Sequence, residues 1–131
     1  MDIRLVLKKI QDIDFMYNNI LPFLIKSELE NYYPEIERWF IEKVIPDTLD
    51  GLREIYCITN EDEIIGINII RHSIGKYSHK GAKICTLYVS EKYRNMGLGT
   101  WLMTNAINRI REKSGLVNII MTIPEDKIKK W

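Results

Sequence analysis

Cysteine is almost missing from this chain, with only Cys57 and Cys85 among 131 residues, each alone inside an apolar run. Cysteines so placed suit small buried hydrophobes, not a disulfide framework or a metal site, so no metal and a reducing, cytoplasmic setting are expected. An excess of either charge is missing too. Lys and Arg number 19 against 18 Asp and Glu, which leaves none of the basic surplus that nucleic-acid binding requires. No apolar run approaches the roughly 20 residues of a membrane span. The opening "MDIRLVLKKI" is too short and too broken by charge for a signal peptide. Neither nucleic acid nor membrane is expected as a partner. Internal repeats and low-complexity tracts are also lacking, and the length suits one domain over residues 1–131 with a single core.

What is present reads as alternating strand and helix patterns. The branched run "IRLVLKK" predicts a first strand over residues 3–7. From Ile13 to Asn31, Met16, Ile20, Phe23, Leu24 and Leu29 recur at helical spacing behind the N-cap candidate Asp12, with a kink or break expected at Pro22. Pro34 suits the first position of a second helix, whose mostly apolar stripe of Ile36, Trp39, Phe40, Lys43 and Val44 ends near Ile45. "REIYCIT" and "EIIGINIIRH", separated by "NEDE", predict an antiparallel hairpin in which Gly66 marks a bulge or a close approach. A central strand follows over residues 83–89, then a helix with Leu98, Leu102, Ala106 and Ile110 on one face and Gly115 as its C-cap, then a last strand in "LVNIIMTI". "PEDKIKKW" begins a possible further helix. A strand-helix-strand crossover makes the last two strands parallel while the hairpin is antiparallel. The fold class is therefore α+β, a mixed α/β sheet flanked by helices.

The stretch "YRNMGLGTWL" joins the central strand to its helix. A glycine-rich turn opening a helix suits anions, because the first N–H groups are unpaired and glycine lets a phosphate approach the backbone. No lysine follows Gly99 as a P-loop requires, and Leu102 stands where a dinucleotide fingerprint has its third glycine.

The longer phrase Leu87, Val89, Tyr93, Arg94, Gly97, Gly99 closely resembles the acyl-CoA-binding motif of the GNAT superfamily of N-acetyltransferases. The order of elements is also similar to that family's. The resemblance implies a GNAT-like fold, with antiparallel N-terminal strands and a parallel pair that splays apart. It implies acetyl-CoA as co-substrate and transfer of acetyl to a primary amine of a small molecule or protein. Backbone N–H groups of Arg94, Asn95, Met96, Gly97, Leu98, Gly99 and Thr100 would then hold the pyrophosphate. Leu87, Tyr88 and Val89 would border the pantetheine arm, with the N–H of Leu87 or a neighbour facing the thioester carbonyl.

The acceptor half is fainter, and no residue is assigned as base or acid. Lys83 stands where some family members carry a catalytic Glu, and the tyrosine acid often found after the last strand has no counterpart. His72 and His79 are the alternatives for a base, although both read first as structural or solvated side chains. Glu28, Glu30, Glu35 and Glu37 would favour a cationic amine if they line the cleft, but a solvated helix face is the simpler reading. Tyr32, Tyr33, Trp39 and Phe40 read as core packing. The family's closing helix and strands have no room after the last strand. Three expectations follow: a fragment, a homodimer completing the sheet, or a non-catalytic CoA-binding or protein-interaction module that keeps the fold.

Overall fold

The computed structural model describes residues 4–27, 29 and 34–121. Expectations that fall on Ile3, Glu28, Glu30, Tyr32, Tyr33 and the segment "PEDKIKKW" lie outside the described residues. Five strands, β1 (Leu5–Ile10), β2 (Arg53–Asn60), β3 (Glu63–Arg71), β4 (Ala82–Val89) and β5 (Ile119–Met121), form one sheet in chain order. The first three pairings are antiparallel and β4 pairs with β5 in parallel, as the crossover rule requires. Helices α1 (residues 13–26) and α2 (residues 36–49) cover one face. Helix α3 (Leu98–Ser114) covers the other.

The apolar periodicity chooses these faces. Met16, Ile20, Leu24, Phe40 and Val44 pack with Ile55, Cys57, Ile67 and Ile69 on the α1–α2 side. Leu98, Leu102, Ala106 and Ile110 repeat every four residues along α3 and meet Ile58, Ile65, Ile70 and Ile84 on the opposite side. Burial of these side chains contributes about 1.5–3 kcal/mol each before the cost of ordering them. Gly115, with φ +78°, ends α3 as expected.

Five points differ from the sequence reading. α1 closes at Lys26, where Ser27 turns extended, and not near Asn31. β1 runs on to Ile10 because its two lysines are tolerated on an edge strand, and Lys9 Nζ finds Glu54 Oε2 at 3.3 Å. Pro22 does not break α1. A π-helical turn over Met16–Ile20, closed by the Leu21 N–H on the Met16 carbonyl, widens the helix just before the proline and moves aside the carbonyl its ring would strike. The same device, Phe40–Val44 followed by Pro46, carries α2 on to Leu49, beyond the end expected near Ile45. Pro34 precedes α2 and does not start it: Glu35, at φ +63°, is the N-cap and Ile36 the first helical residue.

Two bulges shape the sheet. The β2–β3 register shifts beside Gly66, whose added Cβ would lie 3.2 Å from the Tyr88 carbonyl oxygen and 3.3 Å from Leu102 Cδ1. Both roles considered for this glycine are therefore realised. The β3–β4 register shifts between Ile69 and Ile70, leaving Cys85 as the extra residue of β4.

Candidate active site

Among the described residues, β5 pairs only with Ala82, Lys83 and Ile84, so residues 85–89 have no neighbour on that side. The Ser90 N–H donates to the Ile65 carbonyl of β3. Alternation along the strand therefore turns the backbone groups of Leu87 and Val89 away from β3, into the gap beside β5. Val89 already uses its carbonyl: Arg94 Nε donates to it at 3.0 Å, and the guanidinium lies 5.4 Å from the centre of the Tyr88 ring. Tyr88 in turn meets Phe23 of α1 edge to face at 5.8 Å.

The turn after β4 delivers the chain to a bare helix end. Glu91–Tyr93 make one tight 3-10 turn, Asn95 takes φ +68°, and Gly97 at φ +79° is the N-cap of α3. Because the first turn of a helix leaves its N–H groups without internal partners and Gly97 has no side chain to cap them, Leu98, Gly99 and Thr100 present free donors. A Cβ on Gly97 would meet nothing within 4 Å, and one on Gly99 only Leu87 Cδ2 at 3.9 Å. The free donors of α3 and the open space at Gly97 and Gly99 lie together, which suits a phosphate at the helix start. Sequence pattern and structure thus bring Leu87 through Thr100 to one place.

The histidines do not join it. His72 is fully buried on the α3 face, with Nε2 3.4 Å from Glu54 Oε1 and Nδ1 3.4 Å from Ser114 Oγ. Glu54 is the centre of that cluster, bonded twice by Arg109 at 2.9 and 2.8 Å and approached by Lys9. Burial works to raise the Glu54 pKa, but His72 and Arg109 outweigh it and hold the carboxyl well below its ordinary range. His79 is exposed and lines an open depression of about 570 Å³ with Gly81, Asn118 and Ile119, by the amino ends of β4 and β5 and away from the glycine turn. Glu35 and Glu37 are exposed and border a shallower hollow of about 410 Å³ along α2. Trp39 is half-buried and Phe40 fully buried in the core, as expected.

A polar group on the α1–α2 face escaped the sequence reading. Asp47, buried on α2, accepts from Arg53 Nε at 2.9 Å and from the Tyr77 hydroxyl at 2.7 Å, and pairs with Lys76 at 3.0 Å. Arg53 Nη1 also reaches Cys85 Sγ at 2.9 Å. Burial nevertheless pushes the Cys85 thiol up, against the pull of Arg53, Lys83 and Arg71, so it remains a thiol and a poor nucleophile. Among the described residues no set of three metal-binding side chains clusters, and no helix is long and apolar enough to cross a membrane.

The Acetyltransferase (GNAT) family matches residues 13–127 of the chain. No curated protein matches it. Among solved structures, a GCN5-related N-acetyltransferase from Ralstonia eutropha JMP134 superposes with a TM-score of 0.73 at 15% identity, covering 97% of this chain and 88% of its own. A predicted acetyltransferase from Clostridium acetobutylicum, solved with acetyl-CoA, gives 0.70 at 16% identity over 97% and 88%. An aminoglycoside acetyltransferase from an uncultured soil metagenomic sample, solved with sisomicin, gives 0.68 at 16% identity over 96% and 82%. At these identities the likeness is one of fold.

Proposed function

The chain belongs to the GNAT acetyltransferase family, and from that premise we propose that it moves acetyl from acetyl-CoA to a primary amine by direct attack. The observation that carries the reading is the continuity between the side of β4 that turns away from β3 at Leu87 and Val89, without a partner there among the described residues, and the uncapped start of α3 at Gly97. N–H groups from Leu98 to Thr100 would bind the pyrophosphate, helped by the helix dipole. Val89 would bond the pantetheine arm. The Leu87 N–H is suited to the thioester carbonyl, where negative charge develops as the amine attacks and where a fixed donor is most useful. The thioester carbon gains the amine nitrogen and releases CoA as thiolate, while the amine gives up its proton.

None of Lys83, His72 or His79 is suited to take that proton, so the amine would have to arrive as free base or lose it to solvent. The same observation favours a second reading, a module that binds CoA without transfer. Calorimetry with acetyl-CoA, paired with thiol release over a panel of primary amines, separates the two. Micromolar binding with release supports the enzyme, binding without release supports the module, and no binding at millimolar ligand sinks both. A cytoplasmic location and a homodimer remain part of this proposal, testable by fractionation and by sedimentation.

A further inference from the structure

Three cations stand in one row across the sheet. Arg53 of β2 is directly opposite Arg71 of β3, and Arg71 is directly opposite Lys83 of β4. Their neighbours Ala82, Ile84 and Ile70 pack on the α3 side, so alternation turns Arg71 and Lys83 to the α1–α2 side. Like charges in opposed positions weaken a sheet, so such a row needs a compensating anion. Asp47 compensates only Arg53 and Lys76. Arg71 lies over the Tyr77 ring at 4.6 Å, with one long bond from Nη2 to the Gly81 carbonyl at 3.4 Å, and its Nε is buried without a partner. Lys83 has no ion pair among the described residues.

We infer that Arg71 and Lys83 anchor a carboxylate of the acceptor, making the substrate an amino acid whose amine and acid are several bonds apart; the inference rests on the acetyltransferase reading. Opposed residues on neighbouring strands bring a guanidinium fork and an ammonium to one carboxylate, the pairing that arginine geometry favours. Lys83 precedes Leu87 by four positions, which at about 3.3 Å per residue is ~13 Å along the strand, shortened by the Cys85 bulge and by the reach of the lysine side chain. An α-amino acid is too short to span that distance. A chain such as 5-aminopentanoate matches it better, with the acid at Lys83 and the amine beside Leu87.

The test compares binding of 5-aminopentanoate and its carboxamide by calorimetry, to the wild-type chain with and without CoA and to Lys83→Gln. Wild type is expected to prefer the acid by roughly tenfold or more, the scale of a charge-assisted hydrogen bond, and the preference should vanish in Lys83→Gln. That variant removes a like-charge contact, so its melting temperature should equal or exceed that of wild type, and loss of binding cannot then be assigned to unfolding. Equal affinity for acid and amide, binding of neither, or an undiminished preference in Lys83→Gln overturns the anchor. Preference for the acid in a chain that fails to bind acetyl-CoA would uphold the anchor and sink the acetyltransferase reading instead.

Discussion

Gly97 offers a way to separate the stability of the glycine turn from its use. The residue sits at φ +79° and ψ 9°, and an added Cβ would meet no atom within 4 Å. Replacement by alanine therefore costs backbone strain alone, about 1–2 kcal/mol for an L-residue in left-handed helical geometry. For a domain of this size that lowers the melting temperature by ~3–8 °C. Asparagine tolerates the same backbone geometry, so Gly97→Asn should recover most of that loss. If the open space holds a pyrophosphate, however, both variants put atoms where the ligand lies, and both should weaken acetyl-CoA binding by at least about tenfold, or ~1.4 kcal/mol. Thermal melts and calorimetry on the three proteins read the two quantities independently. Wild-type affinity in Gly97→Asn would refute the reasoning, because it would show that the loop needs its backbone shape and not its emptiness.

Two further outcomes follow from the packing. Gly66→Ala should destabilise by about 1–3 kcal/mol in urea unfolding, since its Cβ would press on the Tyr88 carbonyl at 3.2 Å and on Leu102; an unchanged midpoint would mean that β3 and α3 relax freely. Glu54, held below its ordinary pKa in the folded chain, contributes stability that is fully present above the unfolded value of about 4.5 and fades as pH falls below it towards the lowered folded value. Glu54→Gln should therefore be less stable at neutral pH yet decline less steeply between pH ~5 and ~3, and a slope equal to that of wild type would assign the acid sensitivity elsewhere.

The proposed donor side could be drawn from the sequence because its chemistry is local. A strand, two glycines and a helix start lie within one short stretch, and their roles depend on backbone geometry that neighbouring residues dictate. The proposed carboxylate anchor depends on register. Nothing in the spacing of Arg53, Arg71 and Lys83 reveals that they share a row, since their alignment is set by β2–β3–β4 pairing and by the bulge at Cys85. His72 shows the same limit from the other side: near a strand end it resembled a candidate base, but strand alternation turns it under α3 against Glu54. The helix ends were misread for a different reason. Proline is a reliable breaker only of a regular helix, and neither helix is regular where its proline falls.

Those π-helical turns mark the one place in α1 and in α2 where a change in length leaves the rest of the helix in phase. Losing one residue between Met16 and Ile20 would restore ordinary winding with the later residues still in phase, because the wide turn already holds one residue more than an α-helical turn. Leu21 and Leu24 would keep facing the sheet, but the Pro22 ring would meet the carbonyl that the wide turn keeps clear. A lengthened loop at residues 61–62 would be absorbed by solvent, whereas a single-residue deletion outside the wide turns would rotate the rest of that helix by about 100° and unseat its core side chains. Each wide turn is thus one residue of slack, held in place by the proline behind it.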